Sequence, residues 1–496
     1  MNNKDTSRAL RKEELDGVAL ARLDKLLGHL RQLLPDPAQA AAFRRASLTP
    51  PPAGLRLNPL IPQSATLRPI LQERGRQVPW CREAFVLPEP EQRLGRTLEH
   101  AVGALYIQAK APTLAVEILD PQPDERILDL AAAPGGKATQ IGARMRNTGL
   151  LLANEPRNKR VPALVGNLER CGLSNAVLSQ APGNMLARYF HNYFDRILLD
   201  APCSGDGILC KDKKMLRYWS VADAQRQAQQ QKGLLRAAFH MLRPGGFLVY
   251  STCSLSLEEN EEVIQGLVDK YPGQVEILPS EIIDPVPLPA AVAERYPADF
   301  AHIVRIWPHL HDTEGACVAR MRKEGTTTWP AREADAATWT TATASEAGAC
   351  EARERLQEQW GFAMPCPSGQ TLELVRRHLY SRPREAAAFQ QHFPFYIRAG
   401  MRIARRHKDH YYLTQQAITM WGMSMRTPRL ELSWPQVQSL FQGLSIPLED
   451  PTALKGEIVC SFGPWALCRA LVRESGHLIQ SMLPRELLCP DVGQLG

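Results

Sequence analysis

Several features that would fix a protein's class at once are missing from this 496-residue sequence. No apolar run reaches the ~18 residues that a membrane-crossing helix needs, so no membrane association is expected. The first residues, Met1-Asn2-Asn3-Lys4-Asp5, lack the apolar core of a secretory signal, and a cytoplasmic protein is expected. None of the 11 cysteines stands in a Cys-x-x-Cys pair, which argues against both a zinc site and a disulfide scaffold. His309-Leu310-His311 and the pair His407 and His410 come without the Cys or carboxylate spacing of a ligand set. No metal is expected. The dinucleotide pattern Gly-x-Gly-x-x-Gly and the phosphate loop Gly-x-x-x-x-Gly-Lys-Ser/Thr are also absent, and no convincing repeat appears.

What is present suits a multidomain globular enzyme. The length is too great for one core and implies two to four domains. Hydrophobic content of 44% with 22% charged residues is ordinary for such a chain, and a net charge of +7 fits a polyanionic partner.

The chain divides by pattern. Residues 8–34 read as a helix, with Leu23, Leu26, Leu27, Leu30, Leu33 and Leu34 at helical spacing. Pro35 and Pro37 break it, and a shorter helix follows to about Ala46. Apolar segments Leu55–Leu60 and Ala84–Leu87 suggest a small α/β cap, and a helix is expected over Leu98–Ala109. Together these make an N-terminal helical and α/β region, 1–110. From Ile118 onward strands alternate with helices, the pattern of a parallel sheet, and define a domain over 111–324. Its strand candidates are Arg126–Leu130, Leu150–Asn154, Ala176–Ser179, Arg196–Asp200 and Phe247–Ser251, closed by an antiparallel pair Ile303–Trp307 and Cys317–Met321. Residues 325–350, rich in Thr, Ala and Ser, read as a linker. The remainder, 351–496, reads as a C-terminal α+β region with short strands at Tyr411–Thr414, Ile458–Ser461 and Trp465–Leu467.

Two places carry chemistry. The first strand feeds a small-residue loop, Ala131-Ala132-Ala133-Pro134-Gly135-Gly136-Lys137, which opens a helix. Glycines let the backbone approach a ligand closely, and a helix N-terminus presents free N–H groups to it. Glu155 follows the second strand at once, placed to accept hydrogen bonds from ribose hydroxyls. The combination points to a nucleoside-containing cofactor without a pyrophosphate. Asp200-Ala201-Pro202-Cys203 and Thr252-Cys253 follow two further strands, and the carboxyl ends of a parallel sheet face the ligand crevice. A thiolate there can add to carbon 6 of cytosine and make carbon 5 nucleophilic, with Asp200 as proton partner at N3. The residues themselves do not say which thiol attacks.

These segments resemble the Nop/Sun family of RNA cytosine-5 methyltransferases. The resemblance rests on Ala133-Pro134-Gly135-Gly136-Lys137, on Asp200-Ala201-Pro202-Cys203-Ser204-Gly205-Asp206-Gly207, and on Arg243-Pro244-Gly245-Gly246 followed by Tyr250-Ser251-Thr252-Cys253-Ser254 and Glu258-Glu259-Asn260-Glu261. Leu98-Glu99-His100 and Tyr106-Ile107-Gln108 also match, and the likeness covers about residues 50–325. It implies a Rossmann-like class I methyltransferase sheet and S-adenosyl-L-methionine as cofactor. It also implies Cys253 as the nucleophile, Cys203 in release of the covalent RNA adduct, and cofactor contacts from Ala131–Lys137, Glu155 and Asp200. Two departures stand out. Pro182 occupies the place of an adenine-binding Asp, leaving adenine to the backbone or to Asn184, and Ala316-Cys317 stand where the family often has two Phe.

Arg398–Lys408 carries five Lys or Arg in eleven residues, with Tyr411-Tyr412 close behind, a composition suited to phosphate contact and base stacking. Family members acting on small-subunit ribosomal RNA carry a C-terminal PUA-like domain, and Tyr396–Ile403 and Ser481–Leu487 resemble parts of one. The expectation is therefore a monomeric enzyme forming 5-methylcytidine in 16S ribosomal RNA. The same chemistry on transfer RNA, or a weakly catalytic ribosome-assembly factor, are the alternatives.

Overall fold

A computed structural model describes residues 17–88, 91–329, 347–448, 454–472 and 478–495. Residues 8–16 of the first expected helix lie outside this set; within it, helices span Gly17–Leu30 and Pro37–Leu48. Asp36 caps the second, its side chain accepting from the Ala38 N–H. Leu23, Leu26 and Leu30 bury against Leu209, Leu216, Trp219, Leu255 and Leu257, residues that follow the two cysteines in sequence. The N-terminal leucine face therefore braces the segments on which the thiols sit.

A four-stranded antiparallel sheet comes next, in the order Arg76–Val78, Cys81–Leu87, Ala53–Leu57, Leu105–Ile107. The helix expected over Leu98–Ala109 is only one turn, Leu98–Ala101. The chain reverses at Gly103, with φ +74°, and Leu105–Ile107 pairs as an edge strand instead. Backbone pairing outweighed the apolar spacing.

The central sheet holds strands β1 (Arg126–Asp129), β2 (Leu150–Asn154), β3 (Ala176–Ser179), β4 (Phe194–Asp200) and β5 (Leu242–Thr252). It also holds β6 (Val275–Leu278), β7 (Val304–Ile306), β8 (Ala316–Lys323) and β9 (Tyr396–Ala399). Their order is β6-β8-β5-β4-β1-β2-β3-β9, with β7 paired to β8. Strands β1 to β5 run parallel; β8 runs antiparallel to β5, and β9 to β3. Leu128, Leu151, Leu152, Ile197, Leu198, Leu248 and Val249 are wholly buried, as a sheet covered on both faces requires.

The segment read as a linker is partly structured at both ends. Thr327 and Trp329 pack on His240, and Ala347–Trp360 is a helix. Its middle lies outside the described residues. Strand β9 comes from the region read as a separate C-terminal unit, yet it extends the central sheet. At Gly400 the chain crosses into a four-stranded sheet ordered Gln370–Val375, His378–Pro383, Met401–His407, His410–Leu413. A five-stranded sheet follows, with Gly456–Phe462 and Trp465–Val472 at its centre. The C-terminus folds back on the N-terminal sheet, where Leu98 N–H donates to Gly493 O at 2.8 Å.

Candidate active site

The carboxyl ends of β1, β2, β4 and β5 converge on a cavity of about 730 Å³. The loop after β1 is held open by its neighbours: Ala132 N–H donates to Asn154 O, and Asn167 Nδ2 to Pro134 O. Gly135 has φ +113°, and a Cβ there would press on Asn167 and Leu164, so only glycine lets the loop turn into helix Gly136–Arg144. Ala131 and Ala133 line the cavity beside Glu155, Pro182, Gly183 and Asn184. Glu155 is nearly inaccessible; its Oε1 accepts from Arg157 N–H, and its Oε2 lies 3.3 Å from Arg160 Nη1. Arg160 also donates to Ala133 O, tying the loop to the Glu155 carboxylate.

Asp200 ends β4. Lys137 Nζ meets its Oδ2 at 2.7 Å, and Ser251 Oγ donates to its Oδ1 at 2.8 Å. Burial alone would lower the Lys137 pKa, but the Asp200 carboxylate beside it reverses the sign and keeps the ammonium charged. Asp129, at the end of β1, buries its carboxyl group almost completely, with no side-chain donor to it. Burial first, and the Asp200 charge second, push its pKa up to about 7. It lines a smaller cavity of about 210 Å³ together with Lys137, Asp200 and Gln108.

The two thiols meet. Cys203 Sγ and Cys253 Sγ are 2.9 Å apart, both half-buried and both on the wall of the large cavity. The hydrogen bond to Cys253, then burial, raise the Cys203 pKa well above that of a free thiol, so Cys203 keeps its proton.

Two buried carboxylates that the sequence reading left without a role fix this meeting. Asp206, three residues past Cys203, accepts from Ser254 Oγ, Leu255 N–H and Ser256 Oγ on the segment after Cys253. Glu259, six residues past Cys253, accepts from Ser204 N–H, Ser204 Oγ and Gln231 Nε2 beside Cys203. Each cysteine loop is thus held by an acid from the other. Gly207 permits the closeness: a Cβ there would lie 2.6 Å from Cys253 O and from Gly315 O. Burial and then Asp206 raise the Glu259 pKa to about 7.

The other expected contacts divide. Arg398 is engaged with Glu169. Tyr411 is fully buried and serves the core, not RNA; strand alternation turns Tyr412 outward instead. Arg402 and Arg405 are exposed and lie opposite Tyr380 and His378 across the sheet. Among the described residues, no group of three His, Cys, Asp or Glu side chains could hold a metal ion. No helix among them is long and apolar enough to cross a membrane.

Residues 116–322 match the family model described as 16S rRNA methyltransferase RsmB/F, and 24–110 match the N-terminal domain of 16S rRNA methyltransferase RsmF. Ribosomal RNA small subunit methyltransferase F of Enterobacter sp. (strain 638) is 34% identical over 481 residues, covering 94% of this chain and 95% of that one. The chain belongs to the RsmB/F methyltransferase family. The protein of the same description from Cronobacter sakazakii is 36% identical over 83% of this chain and 84% of its own. The match to the Erwinia tasmaniensis protein is 40% identical and spans 59% of this chain and 62% of that one. Among solved structures, a methyltransferase homolog from Pyrococcus horikoshii is 31% identical with a TM-score of 0.52, covering 62% of this chain and all of that one. The structure described as NSun6 from Pyrococcus horikoshii with SFG, 22% identical with a TM-score of 0.53, bears on the fold alone. The nine-stranded sheet is that of a Rossmann-like methyltransferase, accompanied by the expected N-terminal α/β cap and by a C-terminal α+β region that lends the sheet its edge strand β9.

Proposed function

We propose that this chain methylates carbon 5 of cytosine in 16S ribosomal RNA, using S-adenosyl-L-methionine. The observation that carries the reading is the contact between Cys203 and Cys253 at the ends of adjacent parallel strands, beside the Lys137–Asp200 pair. The names of the relatives support the ribosomal substrate.

The cavity suits the cofactor. The loop wall at Ala131 and Ala133, the Glu155 carboxylate and the open wall at Pro182, Gly183 and Asn184 offer places for amino acid, ribose and adenine. Adenine recognition falls to backbone and Asn184, since Pro182 has no acceptor side chain. When bound, S-adenosylmethionine supplies an electrophilic methyl group.

The chain's own groups do the rest. Cys253 Sγ, as thiolate, bonds to carbon 6 of the cytosine, and the ring electrons shift so that carbon 5 becomes nucleophilic. Asp200, which accepts from Lys137 Nζ and Ser251 Oγ, acts as the proton partner at N3: a proton relayed from the Lys137 ammonium through the carboxyl group neutralises the charge that develops there. After carbon 5 has gained the methyl, its proton passes to solvent water and the double bond re-forms, with Cys203 beside Cys253 assisting resolution of the adduct. Carbon 6 then releases Cys253 as thiolate. The target base reaches these groups only unstacked. On the RNA side, the face on which half-buried Tyr380 and Tyr412 lie beside exposed Arg402 and Arg405 supports the expectation of backbone and base contacts in the C-terminal region.

Tritiated cofactor offered with small ribosomal subunits, naked 16S rRNA and tRNA tests this. Label in 16S rRNA, lost on Asp200→Asn, is expected. Label confined to tRNA, or in none of the three, contradicts the substrate assignment.

A further inference from the structure

A second concavity, of about 740 Å³, lies between helix Gly17–Leu30 and the turn that leads into helix Val221–Met241. We infer that it is a docking groove for single-stranded RNA flanking the target nucleotide. The inference rests on the rRNA methyltransferase reading and names a recognition surface for it.

Charge is the first argument. Arg22 and Lys25 from the helix face Arg217 from the turn. The acids nearby are already engaged: Asp24 with Arg44, Glu258 with His29, and Asp223 with Arg226. The groove therefore keeps a positive excess, which a phosphate backbone complements. Arg22 spends one donor on Leu216 O, which fixes the guanidinium at the rim.

Shape is the second. Tyr218 is 77% exposed, the most exposed large hydrophobic side chain among the described residues. Trp219 lies buried beneath, its ring 5.9 Å from that of His29, so the turn carrying Tyr218 is anchored while the tyrosine itself projects. An anchored, projecting aromatic among cations is the arrangement on which a nucleobase stacks without sequence preference.

Continuity is the third. The turn Lys213–Arg217 is shared between two surfaces: Met215 lines the catalytic cavity, and Arg217, two positions on, lines the groove. A strand whose base is held at Cys253 leaves the cavity past this turn.

The test uses full-length protein, unmodified 16S rRNA transcript, a filter-binding titration across salt, and single-turnover methylation. Tyr218→Ala should weaken RNA binding by about 5- to 150-fold, the value of one stacked base, while Tyr218→Phe retains it. The pair Lys25→Ala and Arg217→Ala should flatten the slope of log K against log salt by about 1.4, two single-strand phosphates' worth. The single-turnover rate at saturating RNA should hold in all variants. Unchanged affinity and slope, with wild type methylating 16S rRNA, overturn the groove and leave the function standing. A fall in the saturated rate with affinity intact also overturns it. Wild type that methylates no rRNA removes the reading on which the groove rests.

Discussion

Replacing Asp129 with Asn should change how the protein's stability depends on pH. The Asp129 side chain is 1% exposed, and burial with the Asp200 charge lifts its pKa to about 7. In the unfolded chain the same acid titrates near its ordinary value, about 3.9. The native state thus holds a proton that the unfolded chain has released, so the stability of the protonated form is complete below about pH 4. It falls as pH rises through 7. A displacement of about three units at 1.36 kcal/mol per unit makes the loss about 4 kcal/mol. Asn carries no such titration, and its own unmet amide needs are the same at every pH. Urea unfolding of wild type and Asp129→Asn at pH 5 and pH 8.5, compared as a double difference, isolates the term. The variant should gain about 2.7 kcal/mol on wild type between the two pH values, since only the roughly two units from pH 5 to the folded pKa contribute. Equal pH dependence in both proteins refutes the reasoning, because it means that Asp129 ionises as freely in the fold as outside it.

Two further changes test the supports of the site. Glu259→Ala strands Ser204 N–H, Ser204 Oγ and Gln231 Nε2, and should cost about 3 kcal/mol in urea unfolding while prolonging the covalent adduct on gels. Lys323, buried at the end of β8, donates to Asn192 Oδ1, Phe239 O and Leu242 O at 2.7–2.8 Å, closing the end of helix Val221–Met241. Lys323→Met should cost about 2–4 kcal/mol, read as a lowered midpoint in thermal unfolding.

Much of the frame was readable because it is written locally. Leu150–Asn154 and Ala176–Ser179 are uninterrupted apolar strands, and their ends fall where the residues turn polar. Strand β5 starts earlier than expected, at Leu242, because Leu242 already pairs with Phe194 of β4; Arg243-Pro244-Gly245-Gly246 fall in a break of register before pairing resumes at Phe247. The thiols, Asp200 and Glu155 were legible from their place at strand ends, which a parallel sheet directs to one edge. Asp206 and Glu259 were in plain view in their motifs, yet their partners lie some 50 residues away in sequence. No local pattern encodes that exchange. Tyr411 and Tyr412 show the same limit: a pair of aromatics does not say which one a strand turns inward, and here the core took Tyr411.

The central claim is that Cys253 attacks and Cys203 releases. Incubating Cys203→Ala and Cys253→Ala with 16S rRNA and tritiated S-adenosylmethionine, followed by denaturing gel electrophoresis, tests it directly. Cys203→Ala should run as a slow band of protein covalently joined to methylated RNA. Cys253→Ala should give neither band nor label. A covalent band from Cys253→Ala, or full methylation by it, contradicts the account.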